Sequence, residues 1–169
     1  MNIKNSTALK FAAIALLPVL AMLWPAAVNS FVLTFGEQAL LRTRPVDPRD
    51  LLRGDYVVLD YDISDLSNYP EITQRGGRGD IVYVTLEKDG DGVAEASGAS
   101  FTPPSGGLWI KGVFSDGWSE RVDYGIGVYY VPEGTGWELE KAIRYSDVLA
   151  DVRIWRGKAV IKELMTASH

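Results

Sequence analysis

The 169-residue chain has no cysteine, and its one histidine is His169 at the very end. Without cysteine there is no disulfide, no thiolate metal site and no lipid-modified Cys, so a domain must hold together by packing and attach to a membrane only through an apolar segment. Without an internal histidine, Ser-His and Cys-His nucleophiles and imidazole metal centres are excluded too, since chain ends are usually frayed. No metal and no cofactor is expected. Basic charge is also scarce. Of 17 Lys/Arg and 22 Asp/Glu, only Lys4 and Lys10 precede residue 37, which leaves 15 basic against 22 acidic side chains and a net charge of −7. A nucleic-acid partner, which needs a basic face, is excluded on that ground.

From Phe11 to Gly36 there is no charge of either sign. A helix of ~20 such residues, rising about 1.5 Å each, spans the ~30 Å hydrocarbon layer, and Pro18 and Pro25 are permitted within it. The rival is a cleaved signal peptide, for which Val28-Asn29-Ser30 offers a small-residue site. The apolar run continues, however, through Phe31, Val32, Leu33 and Phe35, long for an h-region of ~7–15 residues. The expectation is a retained anchor at residues 1–36 and one domain at 37–169. Lys4 and Lys10 favour an inside N-terminus, while Arg42, Arg44, Arg49 and Arg53 lie on the other side. A long C-terminal part translocates largely regardless of its charges, so a single pass through the cytoplasmic membrane with an extracytoplasmic (periplasmic) domain is expected.

Strand patterns dominate that domain. In Val57–Ile63 the odd positions are apolar and Asp60 and Asp62 alternate with them; Ile81–Glu87 puts Val82, Val84 and Leu86 on one face and Tyr83 and Thr85 on the other. Further runs are Val93–Ala96, Leu108–Phe114, Arg121–Val131, Val148–Trp155 and Ala159–Leu164, separated by Gly-, Pro- and Asp-rich turns such as Asp89-Gly-Asp-Gly92 and Arg156-Gly157-Lys158. Thr135 and Glu138 have capping-box spacing and open a helix reaching Ile143. The fold class expected is mainly β: a single antiparallel sheet or barrel-like domain with one short helix, behind a transmembrane helix.

The densest signal is Gly54-Asp55-Tyr56-Val57-Val58-Leu59-Asp60-Tyr61, which fills every fixed position of a Gly-Asp-Tyr-x-x-Leu-x-Tyr pattern. With the flanking PVDPRDLLR (Pro45 to Arg53) and the later YVPEGTGWELE (Tyr130 to Glu140), the chain resembles the GDYXXLXY family of bacterial membrane-anchored proteins over nearly everything after residue 37. The resemblance implies integral membrane proteins as partners and no established biochemical activity. Read from the residues themselves, Gly54 supplies a turn, Asp55 caps it, and Tyr56, Leu59 and Tyr61 are strand residues. Either all are architectural, or Asp55, Tyr56, Val58 and Tyr61, with Glu133, line a surface that meets a partner or ligand. Val58 and Tyr56 share the wet face with Asp60 and Asp62, a mixture suited to docking. Leu59, Gly54, Pro132 and Gly134 are read as structural.

Three chemical alternatives bear on these residues. Asp55 and Glu133 make a general acid/base pair if the fold brings them within ~5–10 Å. The segment from Val46 to Asp55, with Gly79-Asp80-Ile-Val later, also resembles the leader-peptidase type of serine/lysine peptidase, but Val46 stands where the nucleophile belongs and Lys111, a loose match to the general base, has no serine to serve. Such a scaffold would be inert. Glu87–Gly92 imitates the start of a calcium loop but has Gly98 where the bidentate Glu belongs, so a polar hairpin is expected. The function expected is therefore a non-enzymatic, membrane-anchored accessory protein; the alternative is a hydrolase using carboxylates or a degenerate peptidase scaffold.

Overall fold

The computed structural model describes residues 3–44, 56–115, 121–130 and 148–166. Helix α1 (Ile3–Phe35) contains Pro18 and Pro25, and after Lys10 it carries no charged side chain. Its stretch Ile14–Phe35 is long and apolar enough to cross a membrane. The helix closes with the Gly36 amide donating to the Val32 carbonyl at 2.8 Å, and strand β1 (Glu37–Arg44) begins at the next residue. No linker separates the helix from the sheet. Gly36 is required there: a side chain would collide with the Val32 carbonyl and come within 3.0 Å of the Ile154 amide nitrogen.

In β1, Ala39, Leu41 and Thr43 point into the core while Leu40, Arg42 and Arg44 point away. β9 (Val148–Trp155) pairs with β1 and β10 (Lys158–Thr166) with β9, both antiparallel, and β3 (Asp60–Tyr61) pairs with the far end of β1, giving the order β10-β9-β1-β3. A second sheet has the order β5-β4-β6-β7, from β4 (Ile81–Lys88), β5 (Ala94–Ser100), β6 (Leu108–Phe114) and β7 (Val122–Asp123). A two-stranded ribbon joins β2 (Tyr56–Val58) to β8 (Val128–Tyr130). The two larger sheets are stitched by parallel bridges from Leu40 to Val93 and from Ile110 to Gly157. The strands thereby form a curled, mainly antiparallel β architecture around Leu41, Val57, Leu66, Val82, Val84, Ile110, Val148 and Val152, all under 2% exposed.

The expected strand runs are present, with two modifications. Val57–Ile63 is not one strand: β2 leaves its partner β8 at Leu59, β3 joins β1, and the chain then tightens into a 3₁₀ turn at Asp62–Ser64. Its alternation survives, with Val57, Leu59, Tyr61 and Ile63 buried, because burial sets the pattern whichever strand is the neighbour. Arg121–Val131 likewise splits into β7 and β8 around Gly125, whose φ of 72° an extended strand cannot hold. The helix begun by Thr135 lies outside the described residues. Within them the short helix is α2 (Pro70–Thr73), with Pro70 in its first turn. Asp89–Gly92 turns between β4 and β5: the Asp89 Oδ1 accepts the Asp91 and Val93 amides, both at 2.9 Å.

Candidate functional site

The motif residues build one flank of the domain. β2 and β8 pair Tyr56 with Tyr130, Val57 with Tyr129 and Val58 with Val128. Directly opposed residues share a face, so Tyr56, Val58, Val128 and Tyr130 form one outward patch while Val57 goes to the core. The Tyr56 and Tyr130 rings stand 6.0 Å apart, tilted by 60°. Tyr130 is 76% exposed and Val128 46%, whereas Tyr56 and Val58 are half-buried. Beside the patch, Asp60 pairs with Arg121, and the Asp123 carboxylate accepts the Gly125 amide at 2.7 Å. A hollow of about 450 Å³ opens between Val58, Asp60, Arg121, Asp123 and Val128.

Tyr61 belongs elsewhere. It is 2% exposed, and its hydroxyl donates to the Ile126 carbonyl at 2.8 Å, so it is not part of a docking surface. Tyr124 reciprocates: its hydroxyl donates to the Ile63 carbonyl at 2.5 Å. Two buried phenols thus lock segment 61–63 to segment 124–126, each through the other's main chain. Leu59 adds its amide to the Gly127 carbonyl at 2.8 Å. Burial drives both phenols well above their ordinary range, since a phenolate would lose its hydration inside the core. Of the motif positions, Leu59 and Tyr61 are thus buried in the core.

The fixed spacing of Tyr56, Leu59 and Tyr61 therefore has a concrete meaning: an outward aromatic, a sheet-switching core leucine and a core tyrosine that clamps the returning chain. A match to the family model of GDYXXLXY proteins extends over residues 18–164, from the second half of the helix almost to the end of β10. This chain belongs to the GDYXXLXY family. No curated protein and no solved structure matches it.

In this GDYXXLXY protein Gly54, Asp55, Pro132, Glu133 and Gly134 lie outside the described residues, as do Val46 and the peptidase-like step. Lys111 is on the exposed side of β6, opposite Tyr83. Sequence reasoning missed a polar cluster at the far end of β1, where Arg44 binds Asp62 at 2.6 Å and Asp65 at 3.2 Å, beside a hollow of about 300 Å³ reaching Tyr69 and Glu95. The Ser67 amide, then the Ser67 hydroxyl and Arg44, hold Asp65 below the usual carboxylate range, the wrong direction for a general acid at neutral pH. Asp62 likewise lifts Arg44 further above its ordinary value. The only local signal for the outward arginines of β1 is the short alternation of Leu41, Arg42, Thr43 and Arg44, which Leu40 breaks at the preceding residue. No group of three potential metal ligands occurs among the described residues.

Proposed function

We propose that this protein is a membrane-anchored, extracytoplasmic accessory subunit that docks an integral membrane protein through the outward patch of its motif ribbon. The observation that carries the reading is the position of that patch. Val128 and Tyr130 line, together with Asn29 of α1, a hollow of about 490 Å³ between ribbon and helix. An apolar, aromatic surface with a charged flank, set against the side of an apolar helix, suits a partner that is itself in the membrane. The aromatic pair supplies the anchor residues that dominate interface energetics, and Asp60–Arg121 and Asp123 supply a polar rim. Among the described residues nothing favours the hydrolase alternative.

The test is co-purification of the full-length protein from membranes. Tyr56→Ser with Val58→Ser should weaken recovery of the partner while leaving the fold intact, and Tyr130→Ser, at the most exposed position, should do the same with the least effect on stability. If Tyr130→Ser folds and the partner is recovered undiminished, the docking surface is not this ribbon.

A further inference from the structure

The charge-free run begins at Phe11, so a span of ~20 residues ends near residue 30; counted from Ile14 it ends near residue 33. Either way the hydrocarbon boundary falls where the domain already touches the helix. Phe31 meets Trp155 edge-on, with ring centroids 5.4 Å apart, and Phe35 packs on Phe31 at 4.8 Å. Val32 is 1% exposed against the domain, and Asn29 shares its hollow with Lys158. With Gly36 leading directly into β1, no length of chain exists to lift the domain off the bilayer.

The part held at that depth is the tip of the β9–β10 hairpin, Trp155-Arg156-Gly157-Lys158. It is a two-residue turn with φ of 48° at Arg156 and 80° at Gly157. Such turns favour Asn, Asp or Gly at the first position, and an arginine there is held in a costly conformation. Among the described residues neither Arg156 nor Lys158 finds an ion pair or a side-chain hydrogen bond, and both are exposed. Phe31, Phe35 and Trp155 around them remain 45%, 60% and 40% exposed. An amphipathic Trp beside long-stemmed cations, with apolar Phe rings next to it, is the chemistry of the bilayer interface, where the indole lies among headgroups and cationic heads reach phosphate.

We infer that the Trp155–Lys158 hairpin tip is a lipid-docking site, with Trp155, Phe31 and Phe35 in the headgroup layer and Arg156 and Lys158 on lipid phosphates, so that the membrane is a second, permanent ligand of the domain. The tip adjoins the partner patch, Lys158 lining the same hollow as Val128 and Tyr130, but its ligand is lipid rather than protein, and the inference holds for either orientation of the anchor.

The absence of cysteine makes the test direct. Full-length protein carrying Arg156→Cys, Lys158→Cys or Ser67→Cys, each with a nitroxide label, is reconstituted into vesicles of phosphatidylcholine and phosphatidylglycerol. Collisions with dissolved oxygen and with a water-soluble nickel chelate are then compared. Ser67 is exposed beyond the far end of β1 and serves as the aqueous control. The oxygen-to-nickel ratio at 156 and 158 should be several-fold above that at 67. A ratio at 156 and 158 equal to that at 67 would overturn the inference. So would low access to both reagents, which would mean that protein, not lipid, covers the tip. Lys158→Cys keeps Arg156 in place and reads the same depth if the Arg156 variant does not fold.

Discussion

Replacing Tyr61 by Phe deletes one oxygen and leaves the ring. The Ile126 carbonyl then loses the one side-chain donor it has among the described residues, in a region where both residues are under 5% exposed. Losing the bond and stranding a buried acceptor costs roughly 2 kcal/mol. With an unfolding entropy of about 2.1 cal/mol/K per residue, a domain of this size loses roughly 7 °C in Tm. Alkali supplies a second reading of the same atom. Burial raises the Tyr61 and Tyr124 phenols above their unfolded value of about 10, so the stability they protect is complete below about pH 10 and is lost as pH rises beyond it. Each contributes a slope of about 1.4 kcal/mol per pH unit in that range. The variant has one such tyrosine fewer, so its deficit against the parent should be constant at neutral pH and shrink above pH 10. Thermal unfolding of the full-length protein in detergent, followed by near-ultraviolet circular dichroism from neutral to strongly alkaline pH, measures both effects. Coincident melting curves at neutral pH, or a deficit that stays constant in alkali, would falsify the clamp.

Two further outcomes test other parts of the fold. Calcium and chelator should give identical melts, because the Asp89 Oδ1 is already taken by two backbone amides; Asp89→Ala should cost about 1–2 kcal/mol, the range for losing a turn acceptor, and a calcium-dependent rise in Tm would return the loop to the metal-binding class. Gly36→Val should undock α1 from β9, since the new side chain meets the Val32 carbonyl and the Ile154 amide rather than yielding side chains; limited proteolysis should then cut near residue 36, and an unchanged digestion pattern would show that the junction is not packed as described.

Periodicity made most of the β domain legible, because in a half-buried strand burial, not hydrogen bonding, writes the sequence. That is why residues 57, 59, 61 and 63 read correctly as one inward face although 57, 61 and 63 belong to three different elements and 59 lies between two of them. β1 was not legible for the converse reason. Leu40 breaks the alternation of Ala39, Leu41 and Thr43, since it lies over the Val93 bridge instead of facing water, and the apolar helix just before it masks the change of period. The outward pairing of Tyr56 and Val58 was legible from the motif, but their cross-strand partners Tyr130 and Val128 were not, because register between strands some 70 residues apart leaves no local trace. The same limit explains Tyr61. Nothing near it in the chain distinguishes a phenol aimed at solvent from one aimed at a carbonyl 65 residues later, whereas its place on the inward parity does. On that parity the motif divides: the odd residues, Leu59 and Tyr61, hold the ribbon to the core, and the even ones, Tyr56 and Val58, are left to face what lies outside it. A polar replacement at Tyr61 should therefore act on stability and one at Tyr56 on association.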